Sequence, residues 1–426
     1  MTEPSRHRLS FRDTPLWKTL GPGVVMAGAA VGVSHLVQAT RAGADYGYLL
    51  LWAVLLACLS KYPFLEFAPR YAAATGESLV TGYRRLGPWA LWTYVAITVG
   101  TMFAVLASVT LVTAGIAGQL LGTYLTSFQW SLAVLGLCGF LILSGRYPAL
   151  DSTMKAIMAV LGVLTVLAVA LAFTRPGTPD PLYIPPAIWN GAGLAFVIAL
   201  MGWMPIPLDV GVWHSLWTLE RRNQTGHVPT VRHAVTDFNL GYGAASIMAV
   251  LFLALGATLM YGSGDPTPVG SVAFAERLIS LYRTSLGAWS VPIIGTAALV
   301  TMFSTTLAVS DGIPRVFQAL YRELFAVPPG ARVSRAPEVV SMAALFAGAI
   351  LILSVMSERL TGLVDLATTL SFLTTPILAV FNLRLLTGPH TPEAARPKGG
   401  LLLLARASAA FLVGFALLFL YWRFFL

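Results

Sequence analysis

Few side chains in this sequence can do chemistry from within its long apolar stretches, and those few carry the functional reading. Asp209, just after Pro207, could ligate a cation, accept a proton or cap the helix that begins there. Met204 offers a soft thioether sulfur. Ser34 and His35 follow the glycine-bearing run Gly28 to Gly32. There the first amides of a new helical turn, with the two side chains, could contact a small ligand; the alternative is a serine cap and a histidine satisfied by a backbone carbonyl. Lys61 and Glu66 share one apolar stretch and could pair or reach toward its polar end. Asp237, Asp311 and Asp365 lie near the ends of such stretches, where helix capping accounts for them.

Enzyme chemistry finds no support. The sequence has no HExxH, GxSxG or phosphate-cradling GxxxxGK(S/T) pattern, so no enzymatic activity and no cofactor are expected. Cys58 and Cys138 both fall inside apolar stretches, where a disulfide or zinc cluster has no geometry, and are read as packing residues.

The elements that must position these groups are membrane spans. Of 426 residues, 57% are hydrophobic and 11% charged, and the mean hydropathy is +0.75. A soluble domain needs a charged exterior, so the solvent for most of this surface is a lipid bilayer. The expected spans are 20–40, 47–67, 89–118, 128–145, 154–174, 191–218, 238–260, 288–311, 339–356, 360–385 and 401–424. Residues 1–19, with Arg6, Arg8, Arg12 and Lys18, read as a retained cytoplasmic tail. Most of the 27 Lys and Arg then fall on the tail's side of the membrane. This bias predicts a cell (inner) membrane protein with its N-terminus cytoplasmic and its C-terminus outside. It also explains the formal charge of +9 without a nucleic-acid partner. The connectors 261–287 and 312–338 each suit a surface helix: Phe274, Leu278, Leu281 and Tyr282 would form the apolar face of one, and Arg315 to Phe325 would form the other. Nothing indicates an obligatory protein partner.

Two spans contain residues that a continuous helix avoids. The first carries Gly28 to His35, and the sixth carries Gly202-Trp203-Met204-Pro205-Ile206-Pro207-Leu208-Asp209-Val210-Gly211, in which two prolines remove amide donors. Broken helices at positions 1 and 6 point to an all-α integral membrane protein built as an inverted repeat of five plus five helices, its ligand held between the breaks. Residues 20–385 would form this core, and 386–426 a loop and an eleventh helix.

Three stretches resemble the Nramp family of divalent-metal transporters. They are Gly21-Pro22-Gly23 with Arg41-Ala42-Gly43-Ala44-Asp45-Tyr46-Gly47-Tyr48 and Leu50-Leu51-Trp52; Met204-Pro205 with His214-Ser215; and Ser304-Thr305-Thr306 to Asp311. The resemblance implies a LeuT-type fold, alternating access and a substrate site between helices 1 and 6. It does not carry the metal site across. The family's helix 1 Asp-Pro-Gly-Asn falls on Gly32-Val33-Ser34-His35, its helix 10 glutamine on Thr368, and span 3 has no Asp or Glu from Trp89 to Gly122.

Loss of the carboxylate at Gly32 removes a group that would repel an anion, and the amides near Ser34 carry about half a positive charge. The leading expectation is therefore a small inorganic ion substrate that is an anion such as bicarbonate, bound by Gly32, Ser34, His35 and Thr368 beside Met204 and Asp209. The alternative is a divalent metal ion held by His35, Met204 and Asp209 as replacement ligands.

Overall fold

The computed structural model describes residues 21–122, 124–145, 147–174, 176–177, 180, 182–263, 268–327 and 334–425. The expected tail, 1–19, lies outside them. All regular structure among the described residues is helical.

The first span begins as α1 (Pro22–Ala30) and breaks at Val31 and Gly32. It resumes as a π-helical turn, Ser34–Ala39, that runs into α2 (Thr40–Tyr46). The two halves are bent by 43°. Next come α3 (Leu51–Thr75), a short helix α4 (Leu79–Leu86), α5 (Pro88–Leu121), α6 (Ser127–Leu143) and α7 (Tyr147–Ala172). Local chemistry sets the starts: Ser78 accepts from the Thr81 amide, Pro88 sits at the first position of α5, and Thr126 with Gln129 forms a capping box.

The second half opens on α8 (Gly191–Trp203), capped by Asn190. The chain is unwound from Met204 to Leu208 and resumes as α9 (Val210–Thr225). It continues through α10 (Val231–Leu259), α11 (Ser271–Leu286), α12 (Ser290–Leu324), α13 (Ala336–Met356), α14 (Leu360–Thr387) and α15 (Gly399–Phe425). Each expected span thus coincides with a helix or a broken pair, and the breaks fall in spans 1 and 6. Spans 1–5 and 6–10 form the two repeats, and α15 packs on α3 and α14.

Three details differ from expectation. Arg315 to Phe325 is not a separate surface helix but the end of α12, which passes through Pro314. One proline removes one amide donor, and the ion pair between Asp311 and Arg315 (2.6 Å) bridges that turn. The helix α4 was not expected, because its eight residues are too few for a span. The second span is longer than 47–67 and continues past Pro63 and Pro69 to Thr75. The other connector does form a helix, α11, and buries Phe274, Leu278, Leu281 and Tyr282.

Glycines let the broken spans approach their neighbours closely. A Cβ on Gly43 would stand 2.0 Å from the Leu253 carbonyl oxygen, and one on Gly202 would stand 1.9 Å from that of Thr368. Large apolar side chains such as Leu55, Phe140, Leu351, Val355 and Leu403 remain exposed, forming the surface that lipid covers.

Candidate functional site

The two breaks lie side by side, with Ser34 Oγ 3.4 Å from the Pro205 carbonyl oxygen. Between them is a cavity with about 450 Å³ of empty volume. Its polar side-chain oxygens are those of Ser34, Asp209 and Thr305, set among apolar walls that include Val105, Trp203 and Trp213.

The hydrogen bonds show what those oxygens can offer. The Ser34 hydroxyl has one proton and three protein acceptors in reach: His35 Nδ1 (2.8 Å), the Ala30 carbonyl (3.0 Å) and the Pro205 carbonyl. Thr305 Oγ1 donates to the Thr301 carbonyl at 3.1 Å. A hydroxyl whose proton is taken by the protein presents only lone pairs to a ligand. Asp209 is an acceptor as a carboxylate. It stands at the N-cap position of α9, yet its side chain makes no capping bond, and Oδ1 is buried with no hydrogen-bond partner among the described residues. Of the side-chain N–H groups on the walls, Trp203 Nε1 donates to Ser371 Oγ (2.7 Å), which leaves the Trp213 indole. Among its side chains, the cavity is therefore richer in acceptors than in donors.

The sequence-predicted residues separate. Ser34 and Asp209 line the cavity. Gly32 sits behind it, where a Cβ would press on Thr305 Oγ1 at 3.0 Å. The His35 ring is fully buried, with Nε2 donating to the Ala245 carbonyl (2.9 Å), so Nδ1 is the acceptor that faces Ser34. Both ring nitrogens are thus engaged by the protein. Met204 is fully buried outside the cavity wall. Thr368 donates to the Val364 carbonyl (2.8 Å) and is likewise not on the wall. Among the described residues, no three His, Cys, Asp or Glu side chains converge as a metal cage.

Lys61 and Glu66 do not pair. Lys61 Nζ donates to the carbonyls of Gly202 (2.7 Å) and Ile206 (3.4 Å), whereas Glu66 pairs with Arg70. The acidic residues read as caps also have other partners. Asp365 pairs with Arg41 at 2.7 Å, and Gln38 links both of them to Thr368. Arg41 also covers the Phe196 ring at 4.9 Å. Asp237 accepts from the amides of Gly21 (3.1 Å) and Gly23 (2.6 Å), capping α1 from across the bundle.

Sequence reasoning missed Thr305 as a wall residue, although it stood in a stretch that carried the family resemblance. It also missed the Arg41–Gln38–Asp365 cluster, whose members come from spans far apart in the sequence.

Paired apolar spans that break beside each other around a cavity define a secondary transporter of the LeuT-type fold, not an enzyme. The sequence profile of the family described as "Natural resistance-associated macrophage protein-like" matches residues 23–422. Uncharacterized protein PM0681 of Pasteurella multocida is 34% identical over 94% of this chain and 91% of its own length. The divalent metal cation transporter MntH of Staphylococcus aureus (strain MRSA252) is 24% identical over 71% of this chain and 67% of its own. Among solved structures, a manganese transporter of Eremococcus coleocola superposes with a TM-score of 0.72 at 16% identity, covering 98% of this chain and 88% of that one. MhsT in complex with L-phenylalanine gives 0.64 at 16% identity, covering 95% and 98%. This chain belongs to the Nramp family and is a multi-pass membrane transporter.

Proposed function

We propose that the protein carries a small inorganic cation, a divalent metal ion that keeps part of its hydration shell, by alternating access through the cavity between the two breaks. Asp209 is the anionic anchor, and Ser34 and Thr305 contribute oxygen lone pairs. The observation that carries this reading is the unpartnered Oδ1 of Asp209 in a cavity whose side-chain oxygens are all acceptors. A single carboxylate cannot replace the whole hydration shell of a divalent ion. The rest of its coordination would be water that enters with the ion.

The relatives named as metal transporters agree with this reading. It keeps the metal alternative but replaces two of its ligands, since His35 and Met204 lie off the wall. Without the thioether, hard ions such as magnesium and manganese are favoured over cadmium. Bicarbonate is not supported, because an oxyanion needs hydrogens where the wall's side-chain oxygens present lone pairs and Asp209 adds a carboxylate.

By the positive-inside bias, the reading places the protein in the cell membrane with a cytoplasmic N-terminus and the C-terminus outside. Residues 20–385 would serve as the transport core, 386–426 as an appendage, and no obligatory protein partner would be needed. Accessibility labelling of Pro4→Cys and Leu426→Cys should then mark opposite faces.

The functional test is uptake into proteoliposomes. Manganese or magnesium should enter, and Asp209→Asn should lower the flux at least about tenfold while leaving the protein folded. A bicarbonate-dependent change of internal pH without metal entry, or full metal flux in Asp209→Asn, would defeat the reading.

A further inference from the structure

Lys61 is an amine at 0% exposure in the middle of α3, without a carboxylate at hydrogen-bond distance. A buried ammonium is costly unless its protons are taken up, so its partners must account for its presence. Both are backbone carbonyls of the broken sixth span. Gly202 lies in the last turn of α8, whose C-terminal end carries partial negative charge, and Ile206 lies in the unwound segment. Carbonyls exposed where a transmembrane helix unwinds are the kind of group that coordinates small monovalent cations in broken-helix transporters.

We propose that the Lys61 ammonium is a tethered substitute for a bound monovalent cation. It fills the carbonyl site of the sixth-span break and holds Met204–Leu208 in the shape that presents Asp209 to the cavity. Lys61 is thus a positioning residue, and the transporter works without a monovalent co-ion. The inference deepens the metal-transport reading, and its flux arm rests on that reading.

The test removes the tether and offers free cations in its place. Full-length Lys61→Ala is purified and melted in ammonium, methylammonium, sodium, potassium or choline chloride at equal ionic strength. At least one small cation should raise its melting temperature by about 2 °C or more over choline, with no such shift in wild type. In proteoliposomes, Lys61→Ala should lose manganese flux about tenfold in choline and regain it in that same cation, while wild-type flux is indifferent to all five salts. Lys61→Gln keeps amide donors without the charge, and should stay low in every salt.

Identical melting of Lys61→Ala in all five salts, wild-type flux that requires sodium or potassium, or full flux in Lys61→Gln would overturn the proposal. If Lys61→Ala folds in no salt, the Lys61→Gln flux decides. If wild type moves no manganese, the metal reading fails, and the melting comparison alone decides the tether.

Discussion

Arg41 in α2 and Asp365 in α14, 324 positions apart in the sequence, meet as a two-pronged ion pair: Nη1 to Oδ1 at 2.7 Å and Nη2 to Oδ2 at 3.3 Å. Gln38, one turn beyond Ser34, donates to the same carboxylate and accepts from the same guanidinium. The cluster ties the second half of span 1 to span 10, a latch between the two repeats.

A double-mutant cycle on this latch should show coupling. Arg41→Ala and Asp365→Ala should each lower the melting temperature, and the double variant should be less destabilised than their sum by about 1 kcal/mol, a modest value because Asp365 is partly exposed. Arg41→Ala should be the worse single change, since it also uncovers Phe196. Strict additivity in the melts would show that the latch contributes nothing.

Gly202→Ala should be among the most damaging small substitutions in the protein. The added methyl would lie 1.9 Å from the Thr368 carbonyl oxygen, which is backbone and cannot rotate away. Helix α8 would have to separate from α14, carrying the Gly202 carbonyl off Lys61. A loss of about 3 kcal/mol or more is expected, read as poor recovery of monodisperse protein and a lowered melting temperature. Wild-type stability in this variant would refute the close crossing.

Gly32→Ala tests the first break differently, because its obstacle is a side chain. The methyl would meet Thr305 Oγ1 at 3.0 Å and Cγ2 at 3.1 Å. A cost of about 1–2 kcal/mol is expected, with Thr305→Ala restoring much of it when the two are combined. Melting curves of the two single variants and the pair check this, and absence of rescue would place the clash elsewhere.

Lys61 and Glu66 share a helix but belong to separate networks, and their variants should behave accordingly. Glu66 is 1% exposed and paired with Arg70, which also donates to the Ala395 carbonyl. Glu66→Gln should cost about 3 kcal/mol by leaving a guanidinium under-compensated. Combined with Lys61→Gln, its effect on melting should add to within about 0.5 kcal/mol. A strong non-additive term would mean that the two groups interact after all.

The amino-acid sequence by itself determined the spans, their number and the places where two of them break. These follow from local rules: an apolar run long enough to cross lipid must be helical, and Pro205, Pro207 and the glycines near Gly32 interrupt a helix wherever they stand. The repeat architecture followed from the positions of the breaks.

Partners were a matter for tertiary structure. Asp365 faces an arginine from the other repeat, Lys61 faces carbonyls from the sixth span, and Asp237 holds the start of α1; none of these pairings has a local signature. The same holds for the site, where Ser34 and Asp209 reach the cavity while His35 and Thr368 turn to other partners and Met204 packs in the core. Sequence fixes which polar groups enter the membrane. With no water in the bilayer core to satisfy them, most turn to a protein partner, and which partner is in reach depends on how helices distant in sequence cross.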